Sequence, residues 1–322
     1  MANKNLTAAK RAKNDEFYTR LQDIEKELVH YRPQFKDKTV LLNCDDPTWS
    51  AFWRHFHKLF GVYGLKKLIA THYESDGNTS YAMVYEGGDD ADISVGERIE
   101  LIGDGDFRSD ECIEFLKESD IVVTNPPFSL FREYVAQLVE YDKKFLIIGN
   151  INAITYKEIF PLLKDDMIRL GYSHPKQFLQ PDGSHKHIMA CWYTNLDTKK
   201  RHEDLFLSAT YYKKDGSVPQ ASIERWPHYD NYDAIEVSKT KDIPVDYAGV
   251  MGVPITFLDK YNPEQFEILD INPHFFMEIL AGKSKPRQLS LRNAGRTKDP
   301  YARILIRARH PHPAGVPVVF DE

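Results

Sequence analysis

Residues 15–195 predict an α/β fold built on a doubly wound, mostly parallel sheet. Three observations carry this. Short β-branched apolar runs of strand length alternate with segments whose apolar residues recur at helical spacing, the pattern of βαβ units. These runs are closed by Gly, Asp, Asn and Pro, as strand ends are. The 322 residues exceed what one compact core needs, so a large domain with a smaller appendage is expected.

The elements follow in order. Residues 1–14 carry Lys4, Lys10, Arg11 and Lys13 with little apolar content and predict a flexible basic arm. A helical pattern runs from Asp15 to about Val29. Thr39-Val40-Leu41-Leu42 is a strand, and Thr48 to Phe60 a helix with Trp49, Phe52, Trp53, Phe56, Leu59 and Phe60 on one face. Lys67–Ala70 and Arg98–Ile102 are strands, separated by a Gly- and Asp-rich excursion from Glu74 to Gly96. Ser109–Glu118 is a helix, Ile121–Thr124 a strand, Leu130–Val139 a helix and Lys144–Gly149 a strand. Tyr156–Leu163 reads as a helix and His187–Tyr193 as a strand. From 196 to 322 the alternation stops. Trp226, Tyr229, Tyr232, Tyr247 and Tyr261 are interspersed with loops, and the chain turns basic from Lys283.

Composition narrows the function classes. Hydrophobic content of 42% and charged content of 28% are those of a folded soluble protein. The net charge of −6 confines any nucleic-acid surface to a local patch. Cys44, Cys112 and Cys191 are few, odd in number and widely spaced, which argues for a reducing, cytoplasmic compartment and against disulfides or a zinc site. No signal-peptide core and no run near 18 apolar residues is present.

The chemistry concentrates at strand ends. Asn125-Pro126-Pro127-Phe128 follows Ile121–Thr124 directly. Two prolines stop the strand and make a rigid turn, at the carboxyl end where open α/β sheets bind ligands. An amide oxygen, a main-chain carbonyl and an aromatic face suit the exocyclic amine of a planar base. The plainer alternative is a strand-ending turn with Phe128 in the core. Asn43-Cys44-Asp45-Asp46-Pro47 ends the first strand without the glycines a pyrophosphate needs. Asp45 and Asp46 suit a cationic ligand, although Asp46 could simply cap the following helix. Gly103-Asp104-Gly105-Asp106-Phe107 closes the Arg98–Ile102 strand; an acid and an aromatic there can hold a purine, or form an ordinary Gly/Asp turn. Asp15-Glu16-Phe17-Tyr18-Thr19 alone is an ordinary helix start. His185-Lys186-His187 lacks the acid or Cys partners of a metal site, so no metal is expected.

Together these blocks resemble the EcoRI-type adenine-specific DNA methyltransferases, and Met251–Tyr261 looks like that family as well. The likeness runs from about residue 14 to 272. It implies a catalytic domain of the S-adenosylmethionine-dependent methyltransferase type over 15–195 and a target-recognition region over 196–322. It implies S-adenosyl-L-methionine as cofactor. Phe17, Tyr18 and Thr19 would lie beside its methionine end, Asn43, Cys44 and Asp45 along its centre, and Asp106 and Phe107 at its adenine. Tyr73 is a further ring contact, and Glu74 is the nearest acid to the ribose-binding position. Asn125, Pro126, Pro127 and Phe128 would form the catalytic turn.

The implied partner is double-stranded DNA, with a monomer acting alone. A cognate restriction endonuclease at the same site is left open. Arg287, Arg292 and Arg296 are the expected DNA-backbone contacts, against a solvated tail as the alternative. Two other functions stay open: amino-methylation of RNA or of cytosine N4, and a non-catalytic DNA-binding module.

Overall fold

The computed structural model describes residues 18–44, 46–74, 80–180, 183–272, 289–293, 296–298 and 302–313. The chain forms two compact units. One holds the residues up to Ala153 with Ile168–Thr198; the other holds Ile154–Met167 with the residues from Lys199 on.

The first unit is built on eleven strands: β1 (Tyr18–Thr19), β2 (Thr39–Asn43), β3 (Lys67–Thr71), β4 (Tyr81–Tyr85), β5 (Glu97–Glu100), β6 (Ile121–Thr124), β7 (Lys144–Asn150), β8 (Arg169–Leu170), β9 (Gln177–Leu179), β10 (His185–His187) and β11 (Ala190–Thr194). Eight of them form one sheet in the order β5-β4-β3-β2-β6-β7-β11-β8. The central β3, β2, β6 and β7 are parallel. The outer pairs on both sides are antiparallel, so the sheet is mixed with a parallel heart. β1, β9 and β10 form a separate small antiparallel sheet.

Both faces of the parallel strands are buried, which is why they read as continuous apolar runs. Side chains alternate across a strand. Val40, Leu42, Leu68, Ala70, Val123 and Ile148 join a core with Ile24 and Leu28 of helix α1 (Leu21–Leu28) and Phe52, Trp53 and Phe56 of helix α2 (Ala51–Lys58). The alternate residues Leu41, Ile69, Val122 and Ile147 are equally buried. Two short helices, α3 (Phe60–Tyr63) and α4 (Asp110–Glu118), precede β3 and β6. Helix α5 (Phe131–Glu140) follows β6, and its Phe131 ring lies where a Cβ on Gly149 of β7 would come within 2.5 Å. Only glycine admits that approach.

The second unit has helices α6 (Phe160–Lys164) and α7 (Gln220–Arg225) and strands β12 (Ile235–Glu236), β13 (Met251–Pro254), β14 (Phe266–Asn272), β15 (Leu291–Asn293), β16 (Arg296–Lys298) and β17 (Arg303–Ala308). Four strands form a mixed sheet in the order β12-β13-β17-β14, and β15 and β16 a separate hairpin. The buried Glu236 carboxylate accepts from Arg303 Nη2 at 2.7 Å and from the Tyr229 hydroxyl. Trp226, Tyr229 and Tyr247 are core residues of this unit.

Local expectations are revised at five places. Tyr18 and Thr19 are strand, and the helix begins only at Leu21. The aromatic helix begins at Ala51, because the Ser50 hydroxyl caps the amides of Phe52 and Trp53. Asp46 instead caps the preceding turn through Thr48. The excursion before Gly96 contains β4, which with β5 makes the sheet edge antiparallel. Tyr156–Leu163 shortens to α6, whose start is set by Pro161 in its first turn. The run 187–193 divides between two sheets, since His187 pairs with Gln177 and Ala190 with Asn150. Among the described residues no helix is long and apolar enough to cross a membrane.

Glu27 of α1 is fully buried and ties three segments of the first unit. It accepts from the Tyr31 hydroxyl at 2.9 Å and, at 2.7 Å each, from Tyr172 N, Ser173 N and Ser173 Oγ. Glu27→Ala strands four buried donors and should cost more than about 3 kcal/mol. Urea unfolding should show a lower midpoint at unchanged slope. Glu27→Gln, which keeps one acceptor oxygen, should lose less. A Glu27→Ala midpoint within error of wild type would refute this role.

Candidate active site

The parallel strands end, in sheet order, at Thr71, Asn43, Thr124 and Asn150. The catalytic-turn candidates leave the third of these ends. Pro126 is buried, while Asn125 and Phe128 are half-buried. The chain enters a short 3-10 turn at Phe128–Leu130, closed by Leu130 N donating to the Pro127 carbonyl at 2.9 Å, and continues into α5. Proline at 126 and 127 removes the donors that would extend β6, so the strand must stop here.

Two buried hydrogen bonds join this turn to the end of β2. Thr124 Oγ1 donates to the Asn43 carbonyl, and the Tyr134 hydroxyl donates to Asn43 Oδ1. Asn43 and Tyr134 are all but inaccessible to solvent. Burial drives the Tyr134 phenol well above its ordinary pKa, so it stays a proton donor. Its ring meets Phe107 edge-on at 4.9 Å. One tyrosine of α5 therefore touches the β2 block and the Asp106-Phe107 block together.

The β2 block turns sharply after Asn43. Cys44 is half-buried and has φ 63°, in the left-handed region that costs an L-residue about 1–2 kcal/mol. Asp46 Oδ1 accepts from Thr48 N at 2.9 Å, Thr48 Oγ1 at 2.7 Å and the Tyr81 hydroxyl at 2.8 Å. His72 Nδ1 lies 3.6 Å from Asp46 Oδ2, and His72 Nε2 lies 3.7 Å from Glu74 Oε2. Burial pushes the Asp46 carboxyl up. The Thr48 and Tyr81 hydrogen bonds and the nearby His72 outweigh it and hold the group below the usual carboxylate range. Tyr81 is correspondingly pushed up to about 12, first by burial and then by Asp46.

Asp106 and Phe107 lie on the segment that returns from the antiparallel edge, not at the end of a parallel strand as expected. Asp104 O accepts from Glu74 N at 2.9 Å, and a Cβ on Gly105 would fall 1.9 Å from the His72 carbonyl. That contact, at φ 78°, requires glycine and lays the segment across the end of β3. Both Asp106 oxygens accept from Arg108, at 2.9 Å from Nε and 2.6 Å from Nη2. Burial raises the Asp106 carboxyl, but these bonds and the guanidinium charge bring it below its ordinary value. Oδ1 also accepts from Arg108 N at 2.8 Å, so Oδ2 is the oxygen that keeps a second lone pair for another donor. Phe107 is 3% exposed, and its ring packs on Tyr134.

The small sheet adds the first block. Tyr18 pairs with Leu179, and Thr19 with Phe178. The half-buried Tyr18 ring lies 4.1 Å from Trp49, just after the β2 turn. Phe178 is buried and meets Phe128 edge-on at 6.2 Å.

Tyr18, Thr19, Asn43, Cys44 and Phe128 are thus joined through Trp49, Phe178 and Thr124. Tyr73 and Glu74 continue from the end of β3 beside the Asp106 segment. Phe17, Asp45, Arg287 and the arm 1–14 lie outside the described residues. Arg292 and Arg296 belong to β15 and β16 of the second unit, paired across the hairpin with Thr297 and Asn293. Sequence reasoning missed Tyr134, His72, Tyr81, Trp49 and Phe178. Tyr134 falls at core spacing with Phe131, Val135 and Leu138, so its pattern shows only a buried face. His72 stands one residue past β3, where a polar side chain at a carboxyl end was a usable signal.

The family model for the adenine-specific methyltransferase EcoRI matches residues 5–309. The chain belongs to this family. Type II methyltransferase M.EcoRI of Escherichia coli is 46% identical, with 95% of this chain and 96% of the relative covered. Type II methyltransferase M.MpnI of Mycoplasma pneumoniae is 39% identical over 94% of this chain and 97% of its own. No solved structure matches. The chain is therefore an adenine-specific methyltransferase.

Asp46 gives the site a pH dependence whose sign is fixed. Its folded pKa is depressed, so its stabilisation is complete above the unfolded carboxylate value, about 3.9, and is lost as pH falls through the folded value. Wild type should exceed Asp46→Asn in urea midpoint at about pH 6, with the gap closing toward about pH 3. A gap of the same size at both pH values would contradict the assignment.

Proposed function

We propose that the carboxyl ends of β2, β3 and β6 hold S-adenosyl-L-methionine and a flipped-out adenine of duplex DNA, and that the methyl group passes to adenine N6. The observation that carries this reading is the Asn125–Phe128 turn, locked through Thr124 and Tyr134 to Asn43. The fold then reads as the S-adenosylmethionine-dependent methyltransferase type, with the second unit as the target-recognition region.

The donor set fits the cofactor. The β2 turn offers carboxylate rather than a glycine cradle, and Asp46 is held ionised. Such a site suits a cationic ligand without phosphate. Phe17, Tyr18 and Thr19 would hold its methionine end; Asn43, Cys44 and Asp45 its centre; Tyr73, Asp106 and Phe107 its adenine ring, with Phe107 acting as support. When bound, the cofactor supplies an electrophilic methyl group.

The chain's own residues prepare the acceptor. Adenine N6 is a weak nucleophile because its lone pair is delocalised into the ring. Asn125 Oδ1 and the Pro126 carbonyl each accept one N6 hydrogen, drawing the nitrogen toward tetrahedral geometry and aiming its lone pair. Phe128 stacks on the base, worth about 1–3 kcal/mol. Rate then comes from positioning and electrostatics. Having gained its methyl, the nitrogen is cationic and strongly acidic and gives its extra proton to water, so no histidine base is invoked. The atom is unreachable within a duplex, so the base must be extruded.

The partner is double-stranded DNA, methylated at a specific site by a monomer in the cytoplasm; a restriction endonuclease of the same site stays open. The three separate cysteines support that compartment. Arg287, Arg292 and Arg296 contact the DNA backbone.

Two outcomes test this. Asn125→Ala should lower single-turnover methylation by two or more orders of magnitude, about 2.7 kcal/mol, with cofactor affinity largely kept. Phe128→Ala should quench the 2-aminopurine signal of the extruded base, which Phe128→Tyr should restore. Near-normal transfer by Asn125→Ala would sink the reading. For the basic stretch, Arg292→Ala with Arg296→Ala should weaken all DNA sequences alike and flatten log K against log salt. An unchanged slope would move the backbone contact elsewhere.

A further inference from the structure

We infer that Lys186, on the edge strand β10, grips a phosphodiester of the extruded nucleotide; this rests on the reading of Asn125–Phe128 as the adenine pocket. The His185-Lys186-His187 run has no part in the chemistry above, yet the fold sets it beside the catalytic turn. β9 is the middle strand of the small sheet, with β1 on one side and β10 on the other. Residues directly opposite one another in antiparallel strands point to the same face. Thr19 pairs with Phe178, and Phe178 pairs with Lys186. Thr19, Phe178 and Lys186 therefore form one row across one face.

That row has a graded environment. Thr19 and Phe178 are buried, and Phe178 is the residue whose ring meets Phe128. Lys186 is exposed, one strand spacing or about 4.8 Å beyond Phe178. An adenine held by Asn125 and stacked on Phe128 brings its own sugar and phosphates to the rim of this turn. Lys186 is the cation of that row which reaches the rim. Lysine suits the task as a compact charge on a flexible stem. Lys176, at the start of this hairpin, is a second exposed cation beside Lys186 in a chain of net charge −6. The contact would be made late, to the nucleotide after it leaves the stack, unlike contacts to the undisturbed duplex.

The test uses the full chain and a duplex carrying the sequence it methylates, found by sequencing DNA it has modified. Wild-type methylation of adenine reports on the underlying reading, and its absence overturns both; with it present, the variants below test Lys186 alone. Lys186→Ala should bind the duplex about 10-fold more weakly and lower the slope of log K against log salt by about 1, and Lys186→Arg should restore both. Cofactor affinity without DNA and the thermal midpoint should not change. Replacing phosphates beside the target adenine, one at a time, by neutral methylphosphonate should identify one position that weakens wild type equally and costs Lys186→Ala nothing further. An unchanged slope in Lys186→Ala, or methylphosphonate losses that add to those of the variant at every position, would overturn the assignment.

Discussion

The architecture of the site depends on the side-by-side ending of β2 and β6, fastened by Thr124 and Tyr134 onto Asn43. These bonds lie in a solvent-free environment, where an amide oxygen left without a donor costs about 1–3 kcal/mol. They also span 81 and 91 residues of sequence. The fastening makes the turn after β6 answer to the end of β2. Because Tyr134 lies one helical turn into α5, the same contact fixes the helix that the Asn-Pro-Pro-Phe turn launches. Phe107 leans on the other side of that tyrosine. The end of β2, the turn after β6 and the Asp106-Phe107 block are aligned by one side chain.

Around this anchor the site is tuned by neutral and cationic donors. Asp46 is kept anionic by hydroxyls and an amide, Asp106 by a guanidinium that also reaches Glu133 at 2.9 Å. The two carboxylates differ in consequence. Hydroxyl donors leave Asp46 with a net negative field, whereas Asp106 is paired with Arg108 and keeps a directed lone pair on Oδ2. A cation is attracted to the first; a neutral ring with an N–H is better matched to the second.

Much of this was readable in the sequence, for identifiable reasons. The runs at 39–43, 67–71, 121–124 and 144–150 are buried on both faces, so their hydrophobicity is unbroken and their type is plain. The proline pair marked the end of β6 without any structure. What escaped was set by partners distant in sequence. Tyr18 and Thr19 look helical because nothing local shows that Leu179 and Phe178 will pair with them. Ser50 displaced Asp46 as helix cap because both are good cap residues and only geometry separates them. β4 was hidden in a Gly- and Asp-rich stretch. In the second unit the strands are held by Arg303–Glu236–Tyr229, a polar knot that no periodicity announces.

The register of β1 has a consequence for how the protein is made. Tyr18 finds Leu179 only when some 160 further residues exist, and β2 finds β6 only after the chain passes residue 121. Pairings of such separation are slow because loop closure precedes any reward. On a ribosome, the amino-terminal block must wait, with its aromatic residues unburied, until the β9–β10 hairpin emerges. The Tyr18–Thr19 strand is thus among the first parts to be translated and the last to be paired. An incomplete chain ending before that hairpin would have its central strands and lack a finished pocket, so truncated products would be catalytically silent.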